Sequence, residues 1–419
     1  MRLFNLQRLD YTYLLQNIGI FIIVLSFFDI ADHLLNIGTL IAFSGAALRK
    51  VFLKQPFFDL KSQNIPRKFL LVFFSFIALQ FVALYLNDIP DKNYSTLVNY
   101  AKWLRGYLLL FLFYNNNINY LQLIWAAIAI GMAHFCIGGA NILNEYFVLN
   151  IVRPSGFFDN PNILAGYLVL LLPVVFAGLF DKRFNKTLKI FVALIFLLGS
   201  FSLILTESRG GLLGIVIVGI VSIIYHAKNQ KQMLLNLFSI LLVCLVTSYI
   251  FVPQNLQRFA RVFQFSEITS YQDKARVYIW ERTLKIIGDE PVLGVGVGNF
   301  EKVFTSDKYK PTAGRENTSS QPHPHNMFLY SLVETGIVGT CGLLAVYIYQ
   351  ICFCYKRRYK LTQNIYTNMF LFTMMAIFIH GMVDTFYTRK MFFQLYLVIW
   401  GYACLSVLEN TKAELKSTK

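Results

Sequence analysis

Residues 69–86 read FLLVFFSFIALQFVALYL, eighteen residues without a charged side chain. A helix of that length rises about 27 Å, close to the hydrocarbon thickness of a bilayer, and a spanning helix needs roughly 20 predominantly apolar residues. Comparable runs recur at about 11–31, 33–48, 97–114, 121–143, 163–180, 188–206, 211–226, 233–252, 325–353, 364–386 and 390–408. The expected fold is therefore an all-α polytopic membrane protein with about twelve transmembrane helices, forming a single domain over residues 1–419.

Composition agrees. Hydrophobic residues make up 56% of the chain, aromatics 16% and charged residues only 14%, and the mean hydropathy is +0.53, values foreign to a water-soluble chain of this length. The first run is long enough to span and has no small-residue cleavage site behind it, so no cleavable signal peptide is expected. All six cysteines fall within or at the ends of apolar runs, which argues against a disulfide framework or a thiolate metal site.

The net charge of +16 records sidedness more than a polyanionic partner, and no nucleic acid is expected. With the amino terminus inside, 21 Lys and Arg fall in inner segments, against five in the short outer ones: Lys92, Arg153, Arg209, Arg389 and Lys390. Such a bias fixes orientation and predicts both termini in the cytoplasm. Residues 253–324, between the ninth and tenth runs, hold ten Lys or Arg and lie outside; long loops translocate regardless of charge.

That large loop is expected to be partly helical, because a structureless connection of its length is unusual. YQDKARVYIWERTLKII, residues 271–287, places Val277, Trp280, Leu284 and Ile287 at helical spacing. It reads as an amphipathic helix at the membrane surface, ended near Gly288 and Pro291. GVGVGNF, residues 294–300, lacks the strand and βαβ setting of a dinucleotide fingerprint and reads as a tight turn.

Next comes QPHPHNMFLYSLVETGIVG, residues 321–339. Pro322 and Pro324 prevent a helix before His325, and an unbroken apolar helix is expected after it. His325 then sits near a helix start at the outer surface, where the helix dipole disfavours imidazolium and leaves a neutral ring able to accept a proton. Gly336 and Gly339 would let a neighbouring helix approach closely. His323 and His325 form an HxH pair, but no third ligand stands nearby at a familiar spacing, so no metal is expected. Glu334 falls on the face opposite His325.

Four further segments bring ionisable groups to the outer ends of spans: Arg153 in RPSGFFDNPN, Arg209 in TESRGG, Arg276 in the loop helix, and His380 with Asp384 in HGMVD. Boundary charges are costly and are functional candidates by default. Arginine suits a diphosphate, because its planar fork donates paired hydrogen bonds and keeps its charge. Arginines beside one neutral histidine could hold a phosphate leaving group while a base deprotonates an attacking hydroxyl.

His325 and Asn326, followed at the right spacing by Gly336 and Gly339, resemble the O-antigen ligase family, which shares a membrane domain with O-antigen polymerases and O-linked oligosaccharyltransferases. Arg209 in its Ser-Arg-Gly setting, Arg276 shortly before Trp280, and Asp384 match the family as well, as does the Asn-Pro-Asn run 160–162, read here as having a packing or loop-shaping role. The resemblance implies a metal-independent, inverting glycosyltransferase of a bacterial inner membrane with its active site on the periplasmic side. Its donor would be an undecaprenyl diphosphate-linked glycan and its acceptor lipid A-core, with no cofactor. His325 would be the general base; Arg209 and Arg276 would clamp the diphosphate; Arg153, Asn326 and Asp384 would contribute to substrate binding.

A polymerase or a protein O-oligosaccharyltransferase would share the donor site. A flippase of lipid-linked glycans would also need cationic residues, but should place them near the midplane within a repeated architecture. Here they collect at one face.

Overall fold

The computed structural model describes residues 11–28, 30, 33–53, 67–87, 92, 94–114, 119–149, 153–181, 184–226, 271–311, 323–356, 365–386 and 388–417. These are helical, with no strand among the described residues. The helices are α1 (Tyr11–Leu25), α2 (Leu34–Leu53), α3 (Arg67–Leu86), α4 (Tyr94–Trp103), α5 (Arg105–Leu112), α6 (Asn119–Leu143), α7 (Pro161–Gly178), α8 (Lys186–Leu205), α9 (Arg209–His226), α10 (Tyr271–Asp289), α11 (Phe300–Phe304), α12 (Met327–Tyr355), α13 (Ile365–Gly381) and α14 (Lys390–Ser417).

Eight helices among the described residues are long and apolar enough to cross a membrane, and α9 and α13 are shorter apolar helices. The run at 97–114 falls on α4 and α5. Leu104 between them has helical φ/ψ of −63°/−18°, donates to Tyr100 O and accepts from Leu108 N, so the two form one nearly continuous segment. Lys102 and Arg105 are exposed on it. The run at 233–252 lies outside the described residues. The architecture is that of an all-α polytopic membrane protein.

Helices α7 and α14 are the central ones, with 83% of each span buried. Close packing relies on small residues where helices cross: a Cβ on Gly19 of α1 would lie 2.4 Å from Ala42 N of α2. Aromatic rings fill the wider gaps, as where Phe69, Tyr107, Phe353 and Phe370 gather around Trp400. Helix α13 touches α7, α9, α12 and α14, and this position makes it the frame of the candidate site. Gly210 and Gly214 allow α9 to lie directly against it: a Cβ on Gly214 would meet Ala376 O at 3.0 Å.

Helix α12 departs from the unbroken helix expected. At Gly336 the backbone turns to φ 58°, ψ −166°, which a continuous helix cannot accommodate. In its place stand four hydrogen bonds to the segment 291–296. Ile337 N–H and Val338 N–H donate to Pro291 O and Val292 O, while Val333 O and Glu334 O accept from Val295 N and Gly296 N. An intact helix would have paired 337 with 333 and 338 with 334. The inserted segment replaces both bonds, so these four backbone groups keep partners in an apolar setting.

GVGVGNF is thus more than a turn. Gly294, Gly296 and Gly298 take positive φ, the alternate Val295 and Val297 are buried, and Gly298 N–H donates to the Glu334 carboxylate at 2.8 Å. What closely approaches Gly336 is this segment's backbone, not a neighbouring helix: a Cβ there would stand 2.2 Å from Val292 O. Gly339 does face a helix, with its carbonyl accepting from Gln80 of α3 at 3.4 Å.

Helix α10 forms as expected, but it packs through Ile279, Thr283 and Ile286, all buried. Val277 and Leu284, on the apolar stripe read from sequence, are 39% and 55% exposed. Arg282 ties the loop together by donating to Tyr309 O and Phe304 O.

Candidate functional site

The site is built from four chain segments that meet around the end of α13. The first is residues 323–326. Asn326 caps α12 with an extended backbone, and its Oδ1 accepts from Phe328 N at 3.0 Å and Leu329 N at 3.1 Å, as Asn does at helix starts. Its amide donates to Met382 O at 3.0 Å, pinning the start of α12 to the turn after α13. His325, one residue earlier, has φ 51°, a conformation uncommon outside glycine that concentrates at functional sites. Its N–H donates to His323 Nδ1 at 3.3 Å.

Trp280 Nε1 donates to Pro324 O at 2.8 Å, locking α10 onto this segment. Arg276 lies four residues earlier on the same face of α10, and its charge is close enough to act on His380. Of the two half-buried or buried arginines of α10, Arg282 is a structural tie and Arg276 faces the site.

The turn after α13 carries Asp384. Its Oδ1 accepts from Thr385 N at 2.8 Å and stands 3.6 Å from His325 Nδ1. Burial alone would raise this carboxyl; contact with His325 and the charges of His380 and His323 outweigh it and hold the group down at about 2. His323 is pushed down to about 4 by burial and by its neighbour His325. Arg389, at the start of α14, also acts on His323.

The turn before α9 carries Arg209. Ser208 Oγ lies 3.3 Å from His380 Nε2, joining this turn to α13. Arg153 braces it from the other side, donating through Nε to Thr206 O at 3.1 Å and through a terminal nitrogen to Asn162 Oδ1 at 2.8 Å. Asn160 caps α7 and Pro161 occupies its first position, so the Asn-Pro-Asn run starts that helix. Glu207 has φ 51°. It and His325 are the two non-glycine residues with positive φ among the described residues, and both belong to this site.

The structure therefore brings the segments of Arg153, Arg209, Arg276, His325, Asn326 and Asp384 together. Sequence reasoning did not find the strained Glu207, or the participation of Ser208 and His323. The missing third partner for the HxH pair also exists: the ligand atoms of His323, His325 and Asp384 lie within 4.8 Å of one another, because α13 supplies from afar what local spacing lacks. Two histidines and a carboxylate could hold a divalent cation. Two of the three, however, already accept backbone hydrogen bonds, His323 Nδ1 from His325 N and Asp384 Oδ1 from Thr385 N.

Residues 193–344 match the O-antigen ligase family. Over this stretch, about a third of its length, the chain is similar to that family. The stretch contains Arg209, Arg276, His325, Asn326, Gly336 and Gly339, whereas Arg153, His380 and Asp384 lie outside the matched residues. An uncharacterized protein of Haemophilus influenzae is 26% identical over 348 residues, covering 76% of this chain and 84% of that one. The match to the O-antigen ligase family and the apolar helices together support a multi-pass membrane protein with a polysaccharide-related, glycosyltransferase-type function.

Proposed function

We propose that this protein transfers a glycan from an undecaprenyl diphosphate carrier to lipid A-core at the periplasmic face of the inner membrane, by direct, inverting displacement without a metal ion. The observation that carries the reading is His325 beside the Asp384 carboxylate, whose turn follows directly on His380, the residue that meets the Arg209 turn through Ser208. Nδ1 faces Asp384, so the tautomer with hydrogen on Nδ1 leaves Nε2 bare for an acceptor hydroxyl. As that oxygen attacks the anomeric carbon, its proton passes to Nε2, and the bond from the anomeric carbon to the diphosphate oxygen breaks. The electron pair leaves with the diphosphate. Asp384 stabilises the imidazolium formed, the division of labour seen in other histidine-carboxylate pairs.

Arg209 and Arg276 neutralise the charge that develops on the leaving diphosphate. Arg153 contributes by bracing the Arg209 turn, and Asn326 by fixing where His325 emerges from α12. His323, neutral at physiological pH, accepts the His325 N–H and adds no competing positive charge.

The test is glycan transfer by purified protein from undecaprenyl diphosphate-linked glycan to lipid A-core, with wild type compared against His325→Ala. Product from wild type and little from the variant supports ligation. Elongation of the donor itself, with no product on lipid A-core, would make the protein a polymerase, and glycan on a protein acceptor would make it an oligosaccharyltransferase.

A further inference from the structure

We infer that His380 is a positioning residue that keeps Arg209 in register with the Asp384–His325 pair; the inference rests on the transfer reaction proposed above. His380 is 1% exposed and occupies the last turn of α13. Its Nε2 meets Ser208 Oγ at 3.3 Å. Ser208 opens α9: its carbonyl accepts from Leu212 N at 2.9 Å and its hydroxyl oxygen from Gly211 N at 3.5 Å. The place of that hydroxyl therefore sets the first turn of α9, whose first residue is Arg209.

The backbone of the same residue holds the other half of the site. His380 O accepts from Val383 N at 3.0 Å and Asp384 N at 3.1 Å, closing the turn that carries Asp384 to His325. One residue thus grips the Arg209 turn with its ring and the Asp384 turn with its carbonyl. The two turns touch without room for a further side chain, since a Cβ on Gly210 would come within 2.3 Å of Val383 and 2.9 Å of the His380 ring. The Phe386 ring packs against that of His380, with centroids 4.5 Å apart.

His380 Nδ1 is buried and has no partner among the described residues. With hydrogen on Nε2, the ring donates to Ser208 Oγ and the orphan is a bare acceptor. The opposite tautomer would bury an N–H with nothing to receive it, the rarer and costlier arrangement. The group needed is therefore a neutral donor at the Nε2 position. Glutamine places its amide nitrogen there; asparagine is too short, and leucine offers no donor.

The experiment compares His380→Gln, His380→Asn and His380→Leu in the full-length protein in lipid nanodiscs. A displacement of about 1 Å in a reacting group can cost roughly 10²-fold in rate. His380→Leu and His380→Asn are expected to lower kcat by about 10- to 100-fold and raise the KM for donor, leaving the KM for acceptor unchanged, while His380→Gln stays within about threefold of wild type. Equal activity in all three, or equal loss in Gln and Leu, overturns the inference. Thermal unfolding of His380→Leu, Ser208→Ala and the double variant separates this claim from the donor reading. Non-additive shifts uphold the Ser208–His380 link and additive shifts overturn it, whether or not wild type transfers glycan from the chosen donor.

Discussion

Asp384 Oδ1 lies 3.6 Å from His325 Nδ1, joining the turn after α13 to the start of α12. The carboxylate is ionised across the physiological range, so its proposed work is to orient the ring and stabilise the imidazolium, and Asp384→Asn removes that charge while keeping the shape. We expect kcat to fall by roughly 10²- to 10⁴-fold with little change in the KM for donor. Steady-state kinetics of the purified variant provide the check, and a near-normal kcat would exclude an orienting carboxylate.

The break in α12 depends on glycine where φ is positive and a backbone stands opposite. Gly336→Ala would add a Cβ 2.2 Å from Val292 O at φ 58°, and Gly294→Ala one 2.5 Å from the Glu334 carbonyl carbon at φ 67°. Each should destabilise the fold by at least about 1–3 kcal/mol. Gly288, within α10 and with nothing within 4 Å of its Cβ position, should tolerate alanine and gain up to about 1 kcal/mol. Thermal unfolding in one detergent compares the three; equal shifts would mean that the inserted segment does not hold the break.

The spans were legible in sequence because uncharged runs of bilayer length have few alternatives. The loop helix was legible through its spacing, and the motifs that single out His325, Arg209 and Arg276 lie on segments that the fold brings together around the end of α13. The break at Gly336 was not: the residues from Met327 to Tyr355 contain no proline, and the helix opens only because segment 291–296 offers matching donors and acceptors. Nor could local spacing show that Asp384 completes a cluster with His323 and His325, since that contact depends on how α13 packs. Of the apolar stripe of α10, Trp280 and Ile287 pack partly against the core while Val277 and Leu284 stay exposed, because the fully buried face is centred on the neighbouring Ile279, Thr283 and Ile286.

His323 is held at about 4, below its ordinary value near 6.5. The unfolded chain therefore binds the extra proton first as the pH falls. The stability contributed by neutral His323 is complete above about pH 6.5 and is lost progressively toward pH 4. His323→Asn keeps an acceptor near the Nδ1 position but cannot be protonated. Its melting temperature should fall less than that of wild type between pH 7 and pH 4, and parallel curves would show that His323 does not titrate in this window.

Asn326 serves first as a helix cap. Asn326→Ala should cost about 1 kcal/mol of stability, with Asn326→Ser recovering much of it. Transfer by the serine variant should remain below wild type, because serine cannot reach Met382 O to pin His325 against the Asp384 turn. Paired melting and activity measurements test this; full activity in Asn326→Ser would remove the pinning function.

If His323, His325 and Asp384 act as a proton-handling group and not as metal ligands, exhaustive treatment with a chelator should leave the transfer rate unchanged. Loss of activity that an added divalent cation restores would instead assign the cluster to a metal.

The most direct test of the account is to separate donor binding from chemistry in single-turnover experiments with undecaprenyl diphosphate-linked glycan. The account predicts that His325→Ala binds the donor as wild type does but fails to transfer it, whereas Arg209→Ala and Arg276→Ala lose donor binding. Transfer at the wild-type rate by His325→Ala, or unchanged donor binding in both arginine variants, would contradict it.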